Sequence, residues 1–218
     1  MTPFKGHRWF AASYDFLTHG AESRVLHDLR PRVAGQATGR VLEVGAGTGA
    51  NFPYYKDLEH MAATEPDPFM LQRARRRATG LGLHVRLLQC EAEALPFRDA
   101  SFDTVVATLV FCTVKDTNLA LAEVWRVLKP GGLFRFMEHV RAEGVGGYLQ
   151  DAVTPAWSWF GAGCHLDRRT ASTIEGAGFD ILELERLRLG PLPLIVGVAG
   201  RPGSTRSFDP RYAPGPVL

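Results

Sequence analysis

The chain has 218 residues, of which 45% are hydrophobic and 22% are charged, and its formal net charge is +2. These values predict one globular domain and exclude a disordered chain; so small a charge also argues against a nucleic-acid partner. The three cysteines show no paired spacing, which predicts no metal site and no disulfide framework and favours reduced thiols in the cytoplasm. No apolar stretch is long enough to cross a bilayer, so only peripheral membrane contact is expected.

Two short helices are predicted within residues 8–36, and we interpret residues 1–36 as a helical cap. Tyr14 lies in the first of these helices and is a candidate to contact the acceptor substrate. Residues 37–200 are predicted to form the main domain. Residues 201–218 are rich in proline, glycine and serine, which predicts a flexible tail.

A strand predicted at residues 40–45 runs into a turn with glycine at alternate positions, Gly45, Gly47 and Gly49. Because glycine has no Cβ, such a turn lets a bulky ligand lie against the backbone, and the next residues can open a helix whose N–H groups face that ligand. Glu43 places a carboxylate at the same point, which suits a cationic ligand better than a pyrophosphate. S-adenosyl-L-methionine, with its ammonium and sulfonium groups, fits this description.

The same turn also satisfies the loose fingerprint of a dinucleotide site. Ala50 completes a Gly-x-Gly-x-x-Ala pattern, and Glu65 follows at about the 20-residue distance that such sites show. A purely structural turn is a third possibility. The glycine turn by itself leaves these three interpretations open, and the later elements have to separate them.

The next two predicted strands, at residues 60–65 and 83–89, each lead into acidic residues. Glu65 can accept two hydrogen bonds from a ribose diol. Glu91 can accept from an adenine amino group, while a backbone N–H nearby can reach a ring nitrogen. Because ligands of an open parallel sheet lie at the carboxyl ends of its strands, these side chains are expected to meet the glycine turn.

Strands and helices continue to alternate through the rest of the chain, which predicts βαβ units, an α/β fold class and a mostly parallel sheet. Asp167 is predicted to cap the last helix and Gly178 to stop it. The predicted elements are a strand at 102–108, a helix at 117–128, a strand at 132–139, a helix at 167–177, and strands at 179–187 and 192–199.

Four motifs resemble, in order and spacing, those of the class I S-adenosylmethionine-dependent methyltransferases: the glycine turn after Glu43, the acid Glu65, the Glu-Ala-Leu-Pro-Phe segment at 93–97 and the Leu-Lys-Pro-Gly-Gly turn at 128–132. The resemblance covers roughly residues 38–140. It implies a Rossmann-like, doubly wound, seven-stranded sheet with an antiparallel C-terminal edge strand, and S-adenosyl-L-methionine as cofactor. The cofactor contacts it implies are Glu43, Gly45, Ala46, Gly47, Gly49, Asn51, Glu65, Pro66, Glu91, Ala92, Thr108 and Leu109.

Residues 108–115, 136–140 and 163–166 are similar to a narrower family, the methyltransferase-like small-thiol S-methyltransferases, and Asn51 after the glycine turn fits that family. This likeness runs over roughly residues 10–187. It implies transfer of a methyl group to hydrogen sulfide or a small alkyl thiol by in-line displacement. Two departures from the family are expected: no hydrophobic anchor is predicted before the first helix of this sequence, and the ribose acid is Glu65 rather than aspartate.

The acceptor pocket is predicted only as a region. A thiol has an ordinary pKa near 8.5, and a neighbouring sulfonium favours its thiolate, so little base strength is needed. His139 is the first candidate to accept the proton or to orient a water that does, and His165 is the second. Cys112 and Cys164 are interpreted as small packing residues. Glu138 is expected to point away from His139, since neighbours on a strand alternate.

An insertion at residues 140–166 is predicted to form either an apolar lid over the acceptor or packing against the sheet edge. Contact with a membrane surface is a further possibility. The aromatic residues on which these interpretations rest are Trp157, Trp159 and Phe160.

Three other functions compete with thiol methylation. The first is C- or N-methylation of a quinone precursor or a phospholipid headgroup. The second is a module that binds S-adenosylmethionine or a protein without catalysis, and the intact glycine turn and ribose acid argue against it. The third is methylation of arsenite, which needs clustered thiolates that only the fold could bring together.

Overall fold

The structure is a computed structural model that describes residues 23–56, 58–160, 164–190 and 192–203. It leaves out the side chains of residues 23, 24, 149 and 155–160. The predictions made for Tyr14, for the first N-terminal helix and for residues 204–218 of the tail lie outside the described residues. The same holds for the aromatic side chains of the insertion, whose backbone alone is described up to residue 160.

Seven β-strands and five α-helices are described, and they alternate as the sequence predicts. The strands are β1 (Arg40–Val44), β2 (His60–Thr64), β3 (Arg86–Leu88), β4 (Phe102–Thr108), β5 (Leu128–His139), β6 (Asp180–Leu189) and β7 (Leu192–Gly200). The helices are α1 (Ser23–Val33), α2 (Pro68–Leu81), α3 (Thr117–Val127), α4 (Val145–Phe160) and α5 (Thr170–Gly176). A short 3-10 helix at Phe52–Tyr54 follows the glycine turn.

All seven strands form one sheet in the order β3-β2-β1-β4-β5-β7-β6. The pairs β1–β2, β1–β4, β2–β3 and β4–β5 are parallel. β7 runs antiparallel to β5 and to β6, which places an antiparallel pair at one edge of the sheet. The predicted Rossmann-like, mostly parallel, seven-stranded fold is confirmed. The strand that reverses is β7, second from the edge, and β6 lies outermost.

The core consists of two apolar layers, one on each face of the sheet. Residues 41–44 of β1 are all buried, as expected for a parallel strand covered on both faces. Successive residues point to opposite faces, so Leu42 packs in one layer with Val105 while Val41 packs in the other with Val106. The buried carboxyl groups of Glu43, Glu65 and Glu138 lie at or next to the carboxyl ends of their strands.

A crevice is expected between the ends of β1 and β4. From β1 the chain builds β2 and β3 on one side and then crosses to β4 on the other side, so the strand order reverses at this point. Open α/β sheets bind ligands at such a switch point, outside the carboxyl ends of the strands. Helix α2 begins at the same edge because Asp67 Oδ1 accepts from the N–H groups of Phe69 (2.8 Å) and Met70 (3.3 Å).

Two strand boundaries differ from the sequence prediction. β3 is three residues long rather than spanning 83–89, since only Arg86–Leu88 pair with β2. β5 begins at Leu128 rather than at 132, because Leu128 already lies opposite Phe102 before the register shifts. In both places neighbouring strands decide where pairing starts and ends, and the apolar pattern does not.

The predicted start of the last helix is wrong. Helix α5 begins at Thr170, its N-cap is Arg169, and Asp167 does not cap it. The chain just before the helix is bonded to another segment, since the Arg141 N–H donates to the Arg168 carbonyl at 2.9 Å. This tertiary contact overrides the local capping signal of Asp167.

Candidate functional site

The glycine turn after β1 presents its backbone to open space at one position. Gly45, Gly47 and Gly49 have φ angles of +66°, +57° and +79°, which favour glycine. A Cβ on Gly45 would lie 2.6 Å from Val110, and one on Gly49 would lie 2.6 Å from the Phe52 ring. A Cβ on Gly47 would meet no described atom within 4 Å. Gly45 and Gly49 are thus required by packing, whereas Gly47 leaves room for a ligand.

Hydrogen bonds join the glycine turn to the end of the neighbouring strand β2. Ala46 is buried, and its N–H donates to the Thr64 carbonyl at 2.9 Å. Glu65, at the end of β2, is also buried; its Oε2 accepts from the Gly47 N–H at 2.8 Å, and its Oε1 accepts from the Asp67 N–H at 2.9 Å. The predicted ribose acid and the predicted glycine turn are therefore directly bonded to each other.

Asn51 connects three elements behind the turn. Its Nδ2 donates to Glu43 Oε1 at 2.8 Å and to Thr108 Oγ1 at 3.0 Å. Its Oδ1 accepts from Arg30 of α1 at 2.7 Å. The sequence associates Asn51 with the cofactor, and the structure shows it holding the predicted cofactor residues Glu43 and Thr108 in place.

Glu43 is fully buried, and burial raises the pKa of its carboxyl group to about 7. The buried hydroxyl of Tyr55 interacts with this carboxyl group, and within the part of the chain that the structure describes neither Glu43 Oε2 nor the Tyr55 hydroxyl has a hydrogen-bond partner besides the other. Burial also raises the pKa of Glu65 to about 7. A site with two buried carboxyl groups of this kind gains most from a cationic ligand, because a cation would stabilise their ionised forms.

The loop after β3 forms its polar contacts with the loop after β4 and with the residue that follows Glu65. Glu91 forms an ion pair with Lys115 Nζ, and the buried Ala92 follows it. Pro66, after the ribose acid, accepts from Gln89 Nε2 through its carbonyl at 3.0 Å. The predicted adenine end of the site is therefore tied to β2 and to the loop after β4.

The turn after β4 is held in a rare backbone conformation. Leu109 has a φ of +59°, which is unfavourable for a bulky side chain, and its N–H donates to the Met137 carbonyl at 2.7 Å. Glu138 of β5 is fully buried and accepts from the N–H groups of Val110 (2.9 Å) and Cys112 (3.3 Å). Burial raises the pKa of Glu138 to about 7.

Glu138 is thus a positioning residue that the sequence prediction missed. The available signal was an acidic residue near the end of a strand predicted to lie inside the sheet, which demands a polar partner when it is buried. Strand alternation predicts its direction but not which loop would supply that partner.

His139, the first catalytic candidate, is buried at the end of β5 beside two cysteines. One ligating atom each from His139, Cys112 and Cys164 lie within 4.8 Å of one another. A hydrogen bond to Cys164, together with burial, holds the pKa of the Cys112 thiol well above its ordinary value. The second candidate, His165, is half-exposed; its Nδ1 lies 3.9 Å from Asp167, and its backbone N–H donates to the Cys112 carbonyl at 2.7 Å.

The geometry of this site agrees with the protein family that the sequence matches. Residues 42–136, from β1 to the middle of β5, match the methyltransferase domain family. The chain contains a methyltransferase domain. The matched range includes Glu43, the glycine turn, Glu65, Glu91 and the turn after β4. The hydrogen-bonded site described above therefore lies inside the methyltransferase domain.

Relatives of the methyltransferase domain include enzymes for different acceptors. Human thiol S-methyltransferase TMT1A is 38% identical over 154 residues, which make up 68% of this chain and 63% of the relative. A phosphatidylethanolamine N-methyltransferase of Cereibacter sphaeroides is 35% identical over 137 residues, or 61% of this chain and 64% of the relative. The chain therefore spans less than two thirds of the length of either relative.

Among solved structures, the cyclase SpnF superposes on 82% of this chain and 80% of its own, with a TM-score of 0.67 and 22% identity. That likeness is one of fold. None of the helices in the described ranges has both the length and the apolarity to cross a membrane. The cytoplasmic location rests on cysteine usage and stays a prediction.

Proposed function

We propose that the chain transfers a methyl group from S-adenosyl-L-methionine to a small thiol, either hydrogen sulfide or an alkyl thiol. The observation that carries the cofactor assignment is the hydrogen bond between Glu65 and the N–H of Gly47, where a Cβ would meet open space, with the buried carboxyl group of Glu43 two residues before the turn. When bound, S-adenosyl-L-methionine supplies a methyl group on a sulfonium, whose leaving group is a neutral thioether. No general acid is then required of the protein.

We assign each part of the cofactor to different residues of the site. Glu43, braced by Asn51, provides the buried carboxylate for the cationic amino-acid end. The Gly47 backbone leaves room for the body of the ligand, and Glu65 keeps lone pairs on both oxygens for a ribose diol. The segment Glu91–Ala92 is assigned to the adenine, and Thr108 with Leu109 to the wall between cofactor and acceptor.

A thiol acceptor is supported by the relatives named for that activity and by the surroundings of His139. Methyl transfer needs the acceptor close to the methyl group, in line with the breaking bond and deprotonated. His139 is buried at the end of β5, next to the turn that begins at Leu109, and we assign it the role of taking the thiol proton or orienting a water that does. His165 is the second candidate, and Tyr14, outside the described residues, is the third.

Methylation of a phospholipid headgroup or a quinone precursor is the alternative. The relative named phosphatidylethanolamine N-methyltransferase favours it. Helix α4 favours it as well, since Val145 and Tyr148 are 84% and 72% exposed and Val153 is 44% exposed, a pattern suited to peripheral contact with a membrane surface.

The test is release of S-adenosylhomocysteine by the purified chain with a small alkyl thiol, phosphatidylethanolamine vesicles or a quinone precursor, each against a control without acceptor. We expect release with the thiol, and the methyl thioether by mass spectrometry. The variant Glu43→Ala should lose cofactor binding in calorimetry, while Glu175→Ala, exposed on α5, should keep it. Release only with vesicles or quinone precursor would transfer the assignment to that acceptor.

A further inference from the structure

Two cysteines and a histidine, which are residue types that bind metal ions, lie close together at the carboxyl ends of the strands. Cys112 comes from the turn after β4, His139 from the end of β5 and Cys164 from the last part of the insertion, after α4. Their exposed fractions are 1%, 8% and 9%, and among the described residues neither cysteine forms a disulfide. One ligating atom from each lies within 4.8 Å of the other two.

The backbone around the cluster is held by hydrogen bonds on several sides. The His165 N–H donates to the Cys112 carbonyl at 2.7 Å, which places Cys164 beside Cys112. Glu138 accepts from the Cys112 N–H at 3.3 Å, and the Val140 N–H donates to the Pro193 carbonyl at 3.1 Å. The three side chains are therefore brought together by the fold and do not depend on a ligand for their approach.

In the described part of the chain, one ring nitrogen of His139 lacks the hydrogen-bond partner that burial demands. His139 Nε2 is buried and accepts or donates no hydrogen bond within the described ranges. A buried polar atom of this kind is costly, and the cost disappears when the atom binds a metal ion. Leu166 and Leu192 pack against the two cysteines, while Glu138 and Arg168 act electrostatically on Cys112.

We propose that Cys112, His139 and Cys164 bind a zinc ion. Two sulfurs and one imidazole nitrogen form a donor set that suits this borderline-soft cation, and three protein ligands with an open fourth position are the arrangement of catalytic zinc sites. Zinc with two thiolates and a neutral imidazole carries no net charge, so burying it costs little desolvation.

The distances are close to those that a zinc ion requires. Zinc takes cysteine sulfur at about 2.3 Å and histidine nitrogen at about 2.0–2.1 Å, so tetrahedral ligand atoms stand roughly 3.5–3.8 Å apart. The cluster, with its atoms within 4.8 Å, would have to close by about 1 Å, which small side-chain rotations can supply.

The fourth position of the zinc ion is suited to the sulfur of the acceptor, an assignment that rests on the proposed function. Val110 lies against Gly45 of the glycine turn, and Cys112 is two residues further along the same turn, no more than about 7 Å of chain away. A thiol that binds there does so as a thiolate, forms a zinc–sulfur bond and releases its proton to water, so the zinc ion replaces His139 as the group that activates the thiol and His139 serves as its ligand.

Cobalt titration of the full chain, reduced and freed of metal, tests the cation site without reference to activity. We expect one equivalent of Co²⁺ to produce thiolate-to-cobalt charge-transfer bands and the visible bands of four-coordinate cobalt, and Zn²⁺ to displace it. Cys112→Ser and Cys164→Ser should each weaken Zn²⁺ binding by more than the roughly 10–100-fold that loss of an outer partner costs. Cys90→Ser, a half-buried cysteine outside the cluster, is the matched control and should bind as the unchanged chain does.

Circular dichroism of the variants separates loss of the site from loss of the fold, and His139→Gln serves where a cysteine variant does not fold. Unchanged Zn²⁺ affinity in folded Cys164→Ser, or the absence of thiolate-to-cobalt bands, would overturn the cation site. A small alkyl thiol should then shift the charge-transfer bands of the cobalt form. Absence of that shift would overturn the acceptor position alone. Thiol methylation by chain that binds no metal would leave the proposed function standing and the zinc site refuted.

Discussion

The carboxylate of Glu65, at the end of β2, accepts a 2.8 Å hydrogen bond from the backbone N–H of Gly47, in the turn after β1. A ligand that contacts both residues would therefore find them already in place, with no rearrangement needed before binding. The position at Gly47 is open on its other side, since a Cβ there would meet no described atom within 4 Å.

Gly47→Ala is expected to abolish cofactor binding at a modest cost in stability. An alanine at a φ of +57° costs about 1–2 kcal/mol, and its methyl group would occupy the space assigned to the ligand. Gly82→Ala is the matched control, because Gly82 has a φ of +64° and equally open space but caps α2 at its far end. Calorimetry with S-adenosyl-L-methionine and thermal unfolding should show equal loss of stability but loss of binding only in Gly47→Ala. Equal binding by the two variants would contradict the assignment.

Asn51→Ala is expected to weaken both stability and cofactor affinity. The substitution leaves the buried Glu43 Oε1 and the Arg30 guanidinium without the bonds that Asn51 supplies, at about 1–3 kcal/mol for a buried group left unsatisfied. Denaturant unfolding measures the stability, and calorimetry measures the affinity. Asn118→Ala, on the exposed surface of α3, should change neither. A stable variant with full affinity would show that Asn51 does not brace Glu43.

The stability of the free protein should depend on pH through Glu43. Burial raises the pKa of this carboxyl group from 4.5 to about 7, so the folded state binds its proton more tightly than the unfolded state does. Its contribution is fully present below about pH 4.5 and is lost as the pH rises through 7. The free energy of unfolding, compared between the chain and Glu43→Gln from pH 5 to 8, should show an advantage of the unchanged chain that shrinks with pH. A constant or growing difference would contradict it.

The affinity for the cationic cofactor should rise with pH, whereas the stabilising contribution of Glu43 falls with pH. A bound cation stabilises the ionised form of Glu43, so binding below pH 7 must drive off its proton, and the affinity should rise between pH 6 and 8. Calorimetry in buffers of different ionisation enthalpy detects the released proton. Glu43→Gln, measured at the same pH values, should show a weaker rise. An equal rise in both proteins would assign it to another group.

Glu138→Gln should loosen the turn after β4 and leave the cofactor side largely intact. The amide keeps one oxygen acceptor but replaces the other with a donor, so the N–H of Val110 or of Cys112 loses its partner, at about 1–3 kcal/mol. We expect turnover with the acceptor to fall more than cofactor affinity, because the turn carries Leu109 in its unfavourable conformation. Glu175→Gln, exposed on α5, is the control. A fall in cofactor affinity equal to the fall in turnover would contradict this division of roles.

The sequence by itself determined the fold class and indicated which residues would surround the proposed cofactor site. The glycine spacing after β1, the acidic residues at the ends of β2 and β3, and the Leu-Lys-Pro-Gly-Gly turn are local patterns, and strand ends of a parallel sheet lie on one edge by geometry. Glu43, Gly47 and Glu65 could therefore be placed together without coordinates.

Only the tertiary structure decided which distant side chains meet. The bond from Arg30 to Asn51, the support of the β4 turn by Glu138, and the cluster of Cys112 with His139 and Cys164 join segments far apart in the chain. No periodicity or spacing encodes such contacts, because they depend on how loops of different lengths fold over the sheet edge. The cysteines that seemed scattered in the sequence thus became neighbours, since the segment after α4 hydrogen-bonds back to the turn after β4.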